Sequence, residues 1–246
     1  MVDELLVWVF FMGHWIMLSK HDSALPVEQI IGWDVETWSR ALATFDKVLA
    51  KDLSGTRSLE LGARGGGLSL WLAMRGSEVT CSCYGCEPSD AVQLHQEFGV
   101  QHNVRYETID ATDIPYEDTF DIIVLKSVIG GIGAGKRVDR ERAALAQIHR
   151  ALREDGVFLF AENVMATKLH QMLRRVKRGD RWHYSSIEEM RSLFGDFSKL
   201  SYETTGFLAC LGYTERQRRW LGRIDAVLCR FVPANWHYVM MGAAIK

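Results

Sequence analysis

Residues 57–73, RSLELGARGGGLSLWLA, constrain the fold of this chain more than any other stretch. A short apolar run carries an acid near its end, glycines follow at once, and a helical apolar pattern begins. That order predicts strand, tight turn and helix. In α/β proteins such a turn places helix-start N–H groups beside a ligand, and glycine lets the ligand approach the backbone. Glu60, at the end of the strand, is an acceptor suited to an amino or hydroxyl group of that ligand. A glycine-rich turn also serves hairpins and unrelated nucleotide-binding folds, so its surroundings decide what it means.

The surroundings repeat the same unit. Residues 78–83 and 104–110 read as second and third strands, and the β-branched run 120–128 suits a fully buried parallel strand. Residues 152–160 give a helix end, a glycine stop and a fifth strand, with helical patterns at 91–98 and 140–152 between the runs. Alternating strand and helix implies right-handed crossovers and a parallel sheet covered on both faces. A sixth strand is expected at 199–206 and a last one at 237–245. Helices are expected at 166–178, at 187–194 behind Ser185 and Ser186, and at 214–231. At 246 residues and 48% hydrophobic, one α/β domain with a large core accounts for the chain.

In order and register across about residues 55–165, these segments resemble the motifs of the class I S-adenosylmethionine-dependent methyltransferases. Glu60, Gly62 and Gly66 fall on the acid and on the first and third glycines of that family's first motif, and Arg64 occupies the middle glycine. Asp110 with Ala111 matches the loop that meets the adenine amino group. Phe120-Asp121 matches the start of the fourth strand, and Leu152-Arg153-Glu154-Asp155-Gly156 the turn before the fifth. The resemblance implies a Rossmann-like, doubly wound, mostly parallel seven-stranded sheet with an antiparallel last strand and an N-terminal helical extension. Residues 1–54 would then cap the donor, 55–165 bind it, and 166–246 face the substrate. S-adenosylmethionine is the implied donor, held by Trp38, Glu60, Gly62, Ala63, Arg64, Gly66, Asp110, Ala111, Lys126 and Ser127. The acid that grips the ribose in that family falls on Cys83, which cannot accept two strong hydrogen bonds. Either Glu87, four residues on, substitutes, or other groups and water hold the ribose. Residues 59–73, 126–133 and 223–236 carry a broader likeness to bacterial small-molecule methyltransferases of polysaccharide and secondary-metabolite pathways.

Composition narrows the partners. The net charge of −2 disfavours nucleic acid, and the basic runs 174–178 and 216–219 read as solvated helix faces. Five cysteines make no disulfide framework, and the group Cys81, Cys83, Cys86 and His95 reads as reduced thiols and core filler in a cytoplasmic protein, with no metal. Residues 130–136, GGIGAGK, start like a phosphate-binding loop, but Arg137 stands where a Ser or Thr must bind magnesium. The loop is expected beside the methyl donor instead. The apolar run 5–18 is too short to span a bilayer. It is expected to be a buried or dimer-forming helix, with no stable membrane insertion.

A sulfonium methyl is already activated, so the protein must chiefly orient the acceptor and exclude water. For a hydroxyl acceptor a base helps, and His183, between Trp182 and Tyr184, is the first candidate, with Glu162 at the end of the fifth strand beside it. Trp33 and Trp38 would pack near the donor or in the core. The expected function is O- or N-methylation of a small molecule. The alternatives are a protein or nucleic-acid methyltransferase, or a donor-binding protein without methyl transfer.

Overall fold

The computed structural model describes residues 25–174 and 181–246 in full, and the backbone of 7–11, 14–18 and 175–178. Strands β1 (Val7–Phe11) and β2 (His14–Leu18) pair antiparallel, with Val7 opposite Leu18. The helix expected over 5–18 is therefore corrected to two strands. The run is dense in Val, Ile, Phe and Trp, whose branched and ring side chains favour a pleated backbone over a helix. The homodimer expected through this segment rests on side chains outside the described residues.

From Val27 onward the order is α1 (Val27–Ile31), α2 (Val35–Trp38), α3 (Arg40–Phe45), β3 (Arg57–Leu61), α4 (Gly67–Ala73), β4 (Glu78–Ser82), α5 (Ser89–Glu97) and β5 (Val104–Glu107). It continues with β6 (Phe120–Lys126), α6 (Ile129–Ile132), α7 (Val138–Ala151), β7 (Leu152–Asn163), α8 (Lys168–Arg178), α9 (Ile187–Ser192), β8 (Lys199–Thr205), α10 (Glu215–Leu228) and β9 (Val239–Ile245). Strands β5-β4-β3-β6-β7-β9-β8 form one seven-stranded sheet. β3 to β7 are parallel, and β9 runs antiparallel between β7 and β8, so the last strand lies one place inside the edge.

The pleat divides the apolar side chains between two cores. Leu59, Leu61, Ile123, Leu125, Phe158 and Phe160 face one side, with Ala144, Leu145 and Ile148 of α7 and Met190 of α9. Val124, Leu159 and Ala161 face the other, with α1, α3 and α4. Such two-sided burial is why the strands read as continuous apolar runs. At the end of the sheet away from the glycine turn, Asp121 accepts from the Arg57 backbone N–H at 2.7 Å and from the Arg153 guanidinium at 2.9 Å. The acid of the Phe-Asp pair thus fastens the starts of β3, β6 and β7.

Local signals behave as their chemistry requires. Ser186 caps α9 and Thr214 caps α10, each in a reciprocal box with Glu189 and Gln217. The stretch 32–42 forms α2 and the start of α3. Among the described residues no helix is long and apolar enough to cross a membrane.

Candidate active site

The carboxyl ends of β3 and β6 open into a cavity of about 500 Å³, within the usual range for a small-molecule site. Its wall includes Ile30, Trp33, Glu60, Gly62, Ala63, Arg64, Lys126, Ser127, Trp182 and Arg218. A smaller recess of about 70 Å³ lies toward β4 and β5, lined by Cys83, Cys86, Tyr106 and Glu107. Ala63 and Arg64 line both, so the glycine turn separates two compartments along the sheet edge. Ligands of open α/β sheets bind outside the carboxyl ends of the strands, at the point where strand order reverses. Here β3 is that point, because β4 lies on one side of it and β6 on the other.

Glu60 is buried, and burial pushes its carboxyl up to about 7 despite hydrogen bonds at 2.6 Å from the Ser69 N–H and hydroxyl. It therefore joins the first turn of α4 to the cavity floor. Gly62 has φ +68, and an added Cβ would lie 2.6 Å from Val128 Cγ2. Gly66, φ +71, leaves room for α5, since a Cβ there would lie 2.7 Å from Ala91 Cβ and 2.8 Å from the His95 ring. Gly66 is absent from the cavity wall, and the space its missing Cβ leaves is taken by α5. Arg64 holds φ +47, a left-handed backbone that only glycine adopts freely.

Lys126 is the central cation. Its Nζ stands 3.0 Å from the Trp33 ring centroid and 5.3 Å from that of Trp38, with no hydrogen-bond partner. Burial lowers its pKa to about 7, against the opposing pull of Glu60 and Glu162. Trp38 is itself core and touches the site through this cage; Trp33 is the ring that lines the cavity. Ser127, φ +58, accepts from the Asn163 amide at 2.9 Å.

The remaining expected residues divide. Glu162 is fully buried and absent from the cavity wall: its Oε1 accepts from the Val128 and Ile129 N–H groups at 2.5 and 2.8 Å, holding the start of α6. Burial pushes this carboxyl up to about 7 as well. The His183 Nδ1 lies 2.8 Å from Oε1 of the buried Glu141, and its neighbour Trp182 is the residue that lines the cavity. The glycines of 130–136 pack this layer: a Cβ on Gly130 would strike Trp182 and one on Gly133 would strike Glu141. Part of that stretch is helical, forming α6.

Asp110 stands outside both compartments. Its Oδ1 accepts from the Thr112 N–H and hydroxyl at 2.8 Å, and Arg140 lies 3.8 Å from Oδ2. Burial opposes its ionisation, but those two bonds and Arg140 outweigh it and hold the carboxyl below the usual range. Ala111 belongs to the core. Glu87 is exposed and lines neither compartment. The acid that lines the recess with Cys83 is Glu107, whose carboxylate accepts from the Tyr116 hydroxyl at 2.7 Å. Cys83 and Cys86, expected as reduced thiols, lie side by side with Cα atoms 5.7 Å apart. The loop after β4 brings the two Cα atoms within disulfide reach. Among the described residues no cluster of ligands suits a metal.

Arg218 and Glu107 escaped the sequence reading, whereas Trp33, expected near the donor or in the core, lines the cavity. Arg218 reaches the cavity from α10, more than 150 residues beyond the glycine turn, and no local pattern announces that return.

Residues 59–160 match a family model described as a methyltransferase domain. Over 113 residues the chain is 31% identical to a ubiquinone biosynthesis O-methyltransferase of Pseudomonas syringae pv. tomato, covering 45% of either chain. The structure resembles phosphoethanolamine N-methyltransferase 2 of Haemonchus contortus in complex with S-adenosyl-L-methionine, with TM-score 0.61 and 16% identity over 89% of this chain and 56% of that one. It also resembles the cyclase SpnF, with TM-score 0.55 and 18% identity over 85% and 81%. The chain spans about half the length of the first two relatives. Together with the strand order and the glycine turn, these matches show that residues 59–160 are similar to a methyltransferase domain and that the chain has the Rossmann-like fold of the class I S-adenosylmethionine-dependent methyltransferases.

Proposed function

We propose that the chain transfers the methyl of S-adenosylmethionine to a hydroxyl of a small molecule, with the donor lying along residues 62–65 across both compartments. The observation that carries this is the cavity at the β3 and β6 ends, where a carboxylate, two arginines, a lysine and two indoles share one wall. Glu60 suits the donor's ammonium, Arg218 its carboxylate, and the Trp33 face its sulfonium, since a soft cation is held well by an indole ring. The ribose and adenine would occupy the recess of Cys83, Tyr106 and Glu107, with Glu107 supplying the carboxylate that Cys83 lacks.

The acceptor enters beside Trp182. Lys126, neutral above about pH 7 and inside the cavity, is the group placed to take the hydroxyl proton. His183 sits one layer behind, and its pair with Glu141 fixes the loop that presents Trp182. The O-methyltransferase relative supports a hydroxyl acceptor. Single-turnover assays with methyl-labelled donor and a panel of phenols, hydroxy acids and sugars test the reading. Transfer to an oxygen is expected, with Lys126→Gln slowing it roughly 10²–10⁴-fold. Label that stays on the donor with every acceptor class would favour a second reading, donor binding without transfer. That reading is supported by the departures at Arg64 and Cys83 and by the likeness to a cyclase.

A further inference from the structure

Helix α10 presents two unlike faces. Its inner face packs on α2 and carries both of the helix's carboxylates. Glu215 accepts from the Asp34 and Val35 N–H groups at 2.9 and 2.7 Å, and the buried Asp225 accepts from those of Phe207, Leu208 and Ala209. Its outer face carries Trp220, Ile224 and Val227, continued past the helix end by Phe231, at spacings i, i+4, i+7 and i+11. Trp220 is 64% exposed, Val227 61% and Phe231 80%. Apolar side chains at that spacing form one stripe, and a wet stripe with two large rings is costly unless something covers it.

The stripe is flanked by Arg216, Arg219, Arg223 and Arg230. Arg219 meets Glu28 at 2.5 Å, Arg223 lies 3.9 Å from Glu36, and Arg216 and Arg230 form no ion pair among the described residues. Because both acids turn inward, the outer face is cationic although the chain as a whole carries −2. We propose that this face of α10 docks on an anionic lipid bilayer. The stripe would enter the boundary between headgroups and acyl chains while the arginines meet lipid phosphates. A two-fold contact between copies would instead set arginine against arginine. Arg218, on the same helix, lines the cavity, so docking would bring the site mouth near the membrane surface and an acceptor dissolved there.

The full chain is sedimented with vesicles of phosphatidylcholine mixed with phosphatidylglycerol, and with phosphatidylcholine alone, at low and high salt. Wild type is expected to pellet with the anionic vesicles and to be released by salt. Trp220→Ser/Phe231→Ser should weaken binding at least roughly tenfold, since two rings lose their burial. Arg216→Glu/Arg230→Glu should abolish the preference for anionic lipid. Both double variants should keep wild-type donor affinity, because neither touches the cavity wall. Equal pelleting with neutral and anionic vesicles, no pelleting, or double variants that pellet like wild type would overturn the proposal. So would a wild-type dimer, seen by light scattering, that the Trp220/Phe231 pair converts to monomer.

Discussion

Arg64 shows what a departure from a motif costs. A non-glycine side chain at φ +47 spends about 1–2 kcal/mol on backbone strain, and branching at Cβ would add to that. Arg64→Val should therefore destabilise the fold by about 1 kcal/mol, while Arg64→Gly should match or exceed wild type; urea unfolding of the three proteins checks the order. Lys126 and Glu60 both titrate near pH 7, for the same reason of burial. On the proposed placement the donor would bring a sulfonium beside the lysine and an ammonium beside the carboxylate. Donor affinity should rise with pH through about 7, as Lys126 loses its proton and Glu60 becomes ionised. Calorimetry on Lys126→Gln should show a shallower rise, from Glu60 alone; an unchanged pH profile would remove Lys126 from the donor's surroundings. These two residues were legible in the sequence because each ends an apolar strand. Cys83 was legible as an anomaly, but its approach to Cys86 and the recess it shares with Glu107 depend on how the loop after β4 bends.

At the scale of elements, polar groups fix how helices meet strands. Glu162 ties β7 to the start of α6 through two backbone N–H groups. Its folded pKa, about 7, lies above the ordinary 4.5, so the folded protein holds this proton more tightly than the unfolded chain. That contribution is fully present below about 4.5 and is lost as pH rises through about 7. Glu162→Gln keeps an oxygen for the α6 start and carries no charge. Its melting temperature should equal wild type at low pH and exceed it above pH 7; a variant less stable at every pH would show that the carboxylate itself is required. Gly66 allows α4 and α5 their close approach. Gly66→Ala should cost about 1–3 kcal/mol, seen as a lower urea midpoint, because its Cβ meets Ala91 and His95. Helix and strand positions were readable from periodicity and caps, as at Ser186 and Thr214. The run 5–18 was misread because a dense apolar stretch has no periodicity to separate helix from strand.

At the scale of the molecule, the order β5-β4-β3-β6-β7-β9-β8 gathers the ends of β3, β4, β5 and β6 at one edge and leaves α1, α2 and α10 to close over it. The parallel half of this arrangement follows from alternating strand and helix, which permits few topologies. Trp33 and Trp182 were readable as rings near the donor and beside His183, but the part of the wall built by Arg218 was not, because it returns to the edge from a distant segment. The donor is expected to bind at this edge, with its ammonium on Glu60. The direct test is calorimetric titration of S-adenosylmethionine, above pH 7, into wild type and Glu60→Gln. The variant keeps an oxygen for Ser69 and loses only the charge. Saturable one-site binding by wild type, weakened roughly 10–100-fold in the variant, is the predicted result. Absence of binding by the wild type, or equal affinity in a folded Glu60→Gln protein, would contradict it.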